Sequence, residues 1–108
     1  MFAVVDREDW PWVSQHRWRA SRSGPANTHR YWYARRETRE GGRTINIYLH
    51  RAVMLRVAPQ PNDYEYIVDH INGNKMDNRR RNLRWATPKE NRYNRYGQHQ
   101  QEFNFQGA

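Results

Sequence analysis

The segment between residues 68 and 84 constrains the fold most, because asparagine and glycine are too frequent in it for one regular helix or strand. Asn72-Gly73-Asn74 is a turn signal, and short runs typical of strands lie on either side of the loop, at residues 64–68 and 83–86. The segment therefore predicts two short strands joined by a long loop.

A helix is predicted directly after the second of these strands. Thr87 is a good N-cap, Pro88 suits the first helical position, and Glu90 stands where a capping box needs its glutamate. The helix is expected to run to about Tyr96, with Gly97 past its end. Residues 64–97 therefore predict a strand-loop-strand-helix (ββα) unit.

The N-terminal half predicts a small antiparallel sheet. Runs at residues 17–21, 29–36 and 44–48 are alternating or rich in aromatic side chains, as strands are. Residues 40–43, with two glycines, are typical of a hairpin turn between the last two strands. The other predicted elements are a strand at residues 1–5, a helical turn at 10–13, a loop at 23–27 and a helix at 49–58.

The predicted fold class is therefore α+β, a small N-terminal antiparallel sheet followed by the ββα unit. A chain of 108 residues has the length of one domain. We divide it into a single domain at residues 1–97 and a flexible, glutamine-rich tail at 98–108. The domain consists of a β-rich lead-in at 1–48, the helix at 49–58 and the ββα unit at 64–97.

The chain is strongly basic, with a formal net charge of +8 and 17 arginines among its 19 basic residues. Arginine presents a rigid fork of donors that matches phosphate oxygens, which indicates an anionic partner, either nucleic acid or an acidic membrane surface. Arginine bias from a GC-rich genome is the alternative. Residues 59–74 hold no arginine or lysine but include Asp63, Glu65 and Asp69. An acidic stretch between basic ones would suit a hard cation beside a phosphate backbone.

Several classes of protein are excluded. The absence of cysteine rules out a disulfide framework and any thiolate zinc site. No apolar run approaches the ~18 residues of a membrane span, and the N-terminus is too short and too acidic for a signal peptide. We therefore expect a cytoplasmic protein without a membrane partner.

The loop and its flanks carry a longer pattern, in which polar residues and a glycine stand at fixed intervals. It reads Asp-His-Ile-x-Gly-Asn from Asp69, Asn-Arg-x-x-Asn-Leu-Arg from Asn78, and Thr-x-x-x-Asn from Thr87. This pattern resembles the HNH endonuclease family, particularly its phage and intron-encoded homing branch, and the upstream Tyr48-Leu49-His50-Arg51 fits the same branch. The resemblance is strong over residues 48–94 and loose over 1–47.

The resemblance implies a role for each matching residue. Asp69 would be a metal ligand at the end of the first strand, and His70 the general base that activates water. Asn82 would hold the loop through hydrogen bonds, and Asn91, on the helix, would be the second metal ligand. The last family position is often histidine. In this chain the position is asparagine, whose oxygen favours Mg²⁺ or Mn²⁺ over zinc as the ligand of the ion. The resemblance implies one divalent ion per site.

The chemistry of the residues agrees with these roles. Hydrolysis of a phosphodiester needs a water deprotonated near neutral pH and a cation that stabilises the charge of the transition state, and histidine has an unperturbed pKa of ~6.5. Because neighbours on a strand point to opposite sides, Asp69 and His70 share a face only if the strand ends or twists there. Taken singly, each asparagine could be a turn or surface residue; the joint spacing favours the nuclease interpretation.

Basic and aromatic side chains are candidates for contacts with DNA. The arginines are Arg51, Arg79, Arg80, Arg81, Arg84, Arg92 and Arg95. A solvated run of charge is the alternative for them. The aromatic candidates for stacking on bases are Trp18, Tyr31, Trp32 and Tyr33, of which the two tyrosines fit a core better. His50 either braces the site or contacts a phosphate, and its place at the start of an apolar helix face favours bracing. His16, His29 and His99 are expected at the surface.

The sequence thus predicts a metal-dependent endonuclease that nicks or cuts double-stranded DNA, as a monomer or a homodimer, in a bacterial or phage-infected cell. The alternatives are a catalytically inactive DNA-binding protein on the same scaffold, and a basic structural or RNA-associated protein in which the motif is coincidental.

Overall fold

The structure, a computed structural model, describes residues 3–22, 32–61 and 66–95, with side chains up to Asn91. Several predicted features lie outside the described residues: the loop at 23–27, the first residues of the strand at 29–36, Asp63, Glu65, the side chains of Arg92 and Arg95, Gly97, and the tail.

Three antiparallel strands form the N-terminal sheet in chain order: β1 (Arg19–Arg22), β2 (Trp32–Glu40) and β3 (Arg43–Tyr48). Gly41 and Gly42 join β2 to β3 with φ angles of 58° and 79°. Two successive positive φ values make the turn whose twist matches that of the flanking strands, and glycine adopts them without a steric penalty. The predicted hairpin is confirmed. β2 continues four residues past its predicted end, because its pairing with β3 extends up to the turn.

The first residues form less regular structure than predicted. Val4 makes one parallel bridge to Asp77 rather than lying in a strand. Its N–H donates to the carbonyl of Met76 at 2.8 Å, and its own carbonyl accepts from the N–H of Asn78 at 2.7 Å. A 3-10 turn (Arg7–Asp9) and a short helix, α1 (Trp10–Val13), follow. The N-terminal segment is thereby attached to the loop of the ββα unit.

The second half has the predicted order. A helix, α2 (Leu49–Val57), precedes the hairpin of β4 (Ile67–His70) and β5 (Leu83–Ala86), and α3 (Pro88–Arg95) follows. β4 extends two residues past its predicted end, because Asp69 and His70 pair with Arg84 and Leu83. The capping box is confirmed: the Thr87 N–H donates to Glu90 Oε1 at 2.9 Å, and the Glu90 N–H donates to Thr87 Oγ1 at 3.3 Å.

α2 lies between the sheet and the hairpin and joins them through one core. The buried residues of this core are Val13, Ala34, Leu49, Val53, Met54 and Leu83. Burial of these side chains on both sides of α2 holds the end of the sheet against β4 and β5. No helix in the described part of the chain is long and apolar enough to cross a membrane.

Candidate active site

A cavity of about 340 Å³ opens where the sheet, α2, β4 and α3 meet. Its polar lining consists of His50, Arg51, His70, Lys75 and Asn91, and its remaining lining of Tyr33, Tyr48, Ile67 and Val68. The cavity brings together two of the four predicted site residues, one from a strand and one from a helix. Two lining side chains are cationic and, among the described residues, none is a carboxylate, so the cavity suits an anionic group.

His70 is fixed in the wall of this cavity by a hydrogen bond. Its ring is 1% exposed, and its Nε2 lies 2.9 Å from Oδ1 of Asn78. The Asn78 amide is oriented by its own Nδ2, which donates to the Met76 carbonyl at 3.4 Å. Because an amide oxygen only accepts, Nε2 of His70 carries the proton, and Nδ1 holds the lone pair. Sequence reasoning placed Asn78 in the family pattern, with a turn residue as the alternative, and missed this role.

The surroundings keep His70 neutral. Its pKa is lowered to about 4, mainly by burial and also by the charge of Lys75, while the hydrogen bond with Asn78 and the carboxylates of Asp69 and Asp77 partly oppose the shift. A histidine with a pKa well below 7 is unprotonated at one ring nitrogen at neutral pH. The ring is therefore able to accept a proton, as a general base must.

A second histidine lies beside it. The ring centroid of His50 is 5.1 Å from that of His70 and 5.5 Å from those of Tyr33 and Tyr48. Burial, and then the proximity of His70, lowers the pKa of His50 to about 3. The sequence favoured a bracing role for this residue, and the structure places it in the wall of the cavity. In the sequence, only the family match at Tyr48-Leu49-His50-Arg51 linked His50 to the site. Its contact with Tyr33 could not be predicted, because Tyr33 lies on a strand that is distant in sequence.

Asp69 is not on the cavity side of β4. β4 remains regular up to His70 and ends there, so the two neighbouring side chains point to opposite faces of the strand. The irregularity comes afterwards, at Gly73, with a φ of 77°. The Asp69 carboxylate is fully buried and accepts a hydrogen bond from Arg84 Nε at 2.9 Å. In the described residues, no three histidine, aspartate or glutamate side chains come together as a metal site.

The loop between the strands is held by buried polar side chains. Asn82 Oδ1 accepts from the backbone N–H of Asn72 at 2.9 Å, and Asn82 Nδ2 donates to Asn72 Oδ1 at 2.9 Å and to the Asp77 carbonyl at 2.8 Å. Asn72 Nδ2 donates to Asp77 Oδ2 at 2.9 Å. These bonds cross the loop at several points. They place Asn78, and through it His70, in a defined position.

The start of the chain supports the same loop. Arg80 donates to both carboxylate oxygens of Asp9, at 3.0 and 2.7 Å, and its backbone N–H donates to Asp6 Oδ2 at 2.8 Å. Asp9 is fully buried and also accepts from Trp12 Nε1 at 2.9 Å. Burial alone would raise the pKa of Asp9, but these hydrogen bonds and the charge of Arg80 outweigh burial and lower it.

Several of the predicted DNA-contact arginines are engaged within the protein. Arg79 forms two hydrogen bonds to Asp77, at 2.8 and 2.7 Å, Arg80 pairs with Asp9, and Arg84 pairs with Asp69. Arg51 lines the cavity, donates to Gln60 at 2.8 Å, and lies 5.6 Å from the ring centroid of Trp85. Arg81 is exposed, and within the described chain its side chain has no hydrogen bond or ion pair. The helix that carries Arg92 and Arg95 is described, but their side chains are not.

Comparisons with known proteins agree with this geometry. Residues 48–93 match the profile of an HNH endonuclease family. An uncharacterised HNH endonuclease of Acanthamoeba polyphaga mimivirus is 31% identical over 94 residues, which are 87% of this chain and 43% of that protein. A second uncharacterised HNH endonuclease of the same virus is 47% identical over 45 residues, which are 42% of this chain and 13% of that protein. The chain thus spans less than half the length of these relatives.

A solved structure extends the likeness beyond the matched segment. The structure described as DNA binding and cleavage by the HNH homing endonuclease I-HmuI superposes with a TM-score of 0.52 at 29% identity, over 72% of this chain and 42% of that one. That share of the chain exceeds residues 48–93, so it includes part of the N-terminal half. The loop motif, the ββα unit and these relatives together establish that the chain belongs to the HNH endonuclease family.

Proposed function

We propose that this chain is an endonuclease that hydrolyses phosphodiester bonds of double-stranded DNA with the help of a divalent metal ion. The observation that carries the proposal is the state of His70. It is a neutral histidine, oriented by Asn78, in a cavity with a cationic lining. A packed structural histidine would not need a cavity at its side, but a general base needs room for water and phosphate.

His70 would act as the base through Nδ1. Nε2 is engaged with Asn78, so Nδ1 is the nitrogen that is able to take a proton from the attacking water. Lys75 and Arg51, in the same lining, would hold a phosphate through charge. A general base typically contributes about 10²- to 10⁴-fold to the rate.

Asp69 and Asn91 would hold the metal ion. Both offer oxygen atoms, and a carboxylate with a carboxamide is a donor set that suits Mg²⁺ or Mn²⁺ better than zinc. The buried Asp69 carboxylate is paired with Arg84 in this structure, so it would have to turn from Arg84 toward Asn91 to bind the ion. The ion, when bound, would stabilise the negative charge that develops on the phosphate during hydrolysis.

The three-stranded sheet would guide DNA to the cavity. Arg19 pairs with Arg35, and Arg35 pairs with Tyr48, so these side chains share one face of the sheet. Tyr33 and Arg39, two residues before and four after Arg35, lie on that same face. Because Tyr33 and Tyr48 also line the cavity, the cationic face leads directly to His70. Arg51 and Arg81 are the further candidates for phosphate contact that the described side chains leave accessible.

The test is cleavage of supercoiled plasmid DNA by the purified chain with Mg²⁺ or Mn²⁺. We expect nicked or linear product with either ion and none with EDTA. His70→Ala should lose about 10²- to 10⁴-fold in rate and keep its DNA affinity, while His16→Ala, at an exposed histidine, should cleave like the wild type. If several DNA substrates remain intact in the presence of metal, or if His70→Ala cleaves normally, the proposal is wrong.

A catalytically inactive DNA-binding protein is the second candidate. The ion pair of Arg84 with Asp69 favours it, because Arg84 already neutralises the carboxylate that would bind the metal ion. It predicts DNA binding with a steep salt dependence and no metal-dependent cleavage. Cytoplasmic location, a phage-infected host and a monomeric or homodimeric state are parts of the same proposal.

A further inference from the structure

His50 holds an unusual place for a histidine that has no assigned function. Its ring is surrounded by the rings of Tyr33, Tyr48 and His70, all lining the same cavity. Its Nδ1 is buried without a hydrogen-bond partner, and the described part of the chain gives neither ring nitrogen a bond. Polar groups that are removed from water usually gain a partner within the protein.

The missing partners determine the tautomer. A neutral imidazole has one N–H and one lone pair. A buried N–H without an acceptor is rarer in proteins than a buried acceptor without a donor. The proton is therefore favoured on Nε2 of His50, and the lone pair on the buried Nδ1. The donor that remains is the one that a ligand in the cavity is able to use.

The cavity around this donor is suited to an anion. Arg51 and Lys75 contribute positive charge to the lining, and the described lining contains no carboxylate to compete for the donor. The rings of Tyr33 and Tyr48 pack against the imidazole in tilted orientations, without using its nitrogens. A ring that is oriented in advance loses little entropy when it forms a hydrogen bond to a ligand.

We propose that His50 is a substrate-contacting residue, whose neutral imidazole donates a hydrogen bond from Nε2 to a non-bridging oxygen of the DNA phosphate bound in the cavity. The inference rests on the proposed function, because it concerns the same phosphate. It assigns different roles to the two histidines: His70 accepts the proton of water, and His50 holds the phosphate that the water attacks. The low pKa of His50 agrees with this role, because the ring is neutral at the pH of the reaction.

The kinetic test compares three variants on supercoiled plasmid DNA with Mg²⁺. A hydrogen bond to a charged group has a net strength that corresponds to about 10- to 100-fold, so we expect His50→Leu to lower kcat/KM by that factor. His50→Gln retains an N–H at a similar position and should recover most of the activity, to within about fivefold of the wild type. His16→Leu is the matched control, since it replaces an exposed histidine by the same residue, and it should match the wild type.

The structural test needs no cleavage. Protein labelled with ¹⁵N in histidine is titrated with a duplex oligonucleotide in EDTA, and the His50→Leu spectrum assigns the signals. We expect the Nε2–H signal of His50 to move downfield as DNA binds, and His50→Leu to keep the melting temperature of the wild type.

The outcomes separate the two proposals. If the wild type cleaves but His50→Leu cleaves equally well, or if DNA binds without moving the His50 signal, the role of His50 is wrong and the nuclease proposal stands. If His50→Gln is as impaired as His50→Leu and both melt at a lower temperature, His50 is only structural. If the wild type cleaves no DNA, the proposed function fails, and this inference fails with it.

Discussion

The three-stranded sheet and the loop of the ββα unit use polar side chains in opposite ways. On the sheet, Arg35 pairs with Glu37 and Asn46 at 2.9 and 2.8 Å, on an exposed face. In the loop, Asn82 and Asp77 are buried. Asn82 donates a hydrogen bond to the Asp77 carbonyl, and the Asp77 carboxylate accepts one from Asn72. The sheet presents charge to solvent, whereas the loop uses uncharged amides and paired charges to fix its own shape.

The difference determines which residues tolerate change. An exposed ion pair contributes about 0–1 kcal/mol, because water serves both partners well. A buried polar group that loses its partner costs about 1–3 kcal/mol, and an unpaired buried charge costs more. We therefore expect substitutions in the loop to lower stability, and substitutions on the sheet face to change DNA binding alone.

The largest expected effect on stability is that of Arg80→Met. The substitution leaves the buried Asp9 without its cation, and breaking a buried ion pair typically costs about 3–5 kcal/mol. Unfolding in urea, followed by tryptophan fluorescence, measures the loss. Asp9→Asn combined with Arg80→Met should recover part of it, because the amide oxygen still accepts from Trp12 and no charge is left unpaired. Equal stability of Arg80→Met and the wild type would show that the N-terminal segment does not support the loop.

Asn82→Ala should follow, at about 2–3 kcal/mol. The change removes three hydrogen bonds and leaves the Asn72 backbone N–H and the Asp77 carbonyl without this partner. The measurement is again urea unfolding, together with plasmid cleavage, which should fall because the loop positions His70. Asn46→Ala is the control on the sheet, where the amide is exposed, and we expect it to change stability by less than about 0.5 kcal/mol. A similar loss in both variants would contradict the difference between the two regions.

The pH dependence of stability should also come from the loop side of the molecule. Burial holds the pKa of His50 at about 3 and that of His70 at about 4, below the ~6.5 of the unfolded chain. Because the unfolded state binds these protons first, their contribution to stability is complete above pH ~6.5 and is lost as the pH falls toward the folded values. Each histidine adds a slope of up to about 1.4 kcal/mol per pH unit within that range.

Melting temperatures in EDTA between pH 7 and 5 check this expectation. The groups that face His50 in the cavity are Tyr33, Tyr48, Arg51, His70 and Lys75. His50→Leu should reduce the slope, because one of the two titrating rings is gone, while His16→Leu should leave it unchanged. A wild-type curve that is flat down to pH 5 would mean that the two histidines are not buried in solution.

The features that the sequence predicted correctly are those that depend on neighbouring residues. The capping box at Thr87 and the two-glycine turn after Glu40 need only local chemistry, and both were predicted at the correct position. The faces of Asp69 and His70 depend on the pairing of β4 with β5, which no local signal gives. The partner of Arg80 lies 71 residues away at Asp9, so the sequence assigned this arginine to DNA.

The family was predictable for a different reason. Spacing between Asp69, His70, Asn82 and Asn91 identified the family, because a set of chemically special residues at fixed intervals rarely arises by chance. The same spacing did not reveal His50, whose neighbours Tyr33 and Tyr48 come from two other strands. A local motif thus identifies the loop that carries it better than it identifies the cavity wall contributed by other strands.

The smallest expected effect on stability is that of Arg35→Ala on the sheet. Its partners Glu37 and Asn46 are exposed, so we expect a change of less than about 0.5 kcal/mol in unfolding free energy. DNA binding should respond more. The salt dependence is the slope of log K against log salt concentration, and the loss of one phosphate contact reduces the size of this slope by about 1. Fluorescence anisotropy with a labelled duplex in EDTA, repeated across salt concentrations, measures both affinity and slope.

Arg43→Ala is the matched control for this experiment. Arg43 pairs with Glu40, which places it on the opposite face of the sheet from Arg35. If DNA lies along the face that leads to Tyr33 and Tyr48, only Arg35→Ala should reduce the salt slope. Equal reductions in both variants would mean that the sheet attracts DNA through its overall charge, and that neither face guides DNA to the cavity.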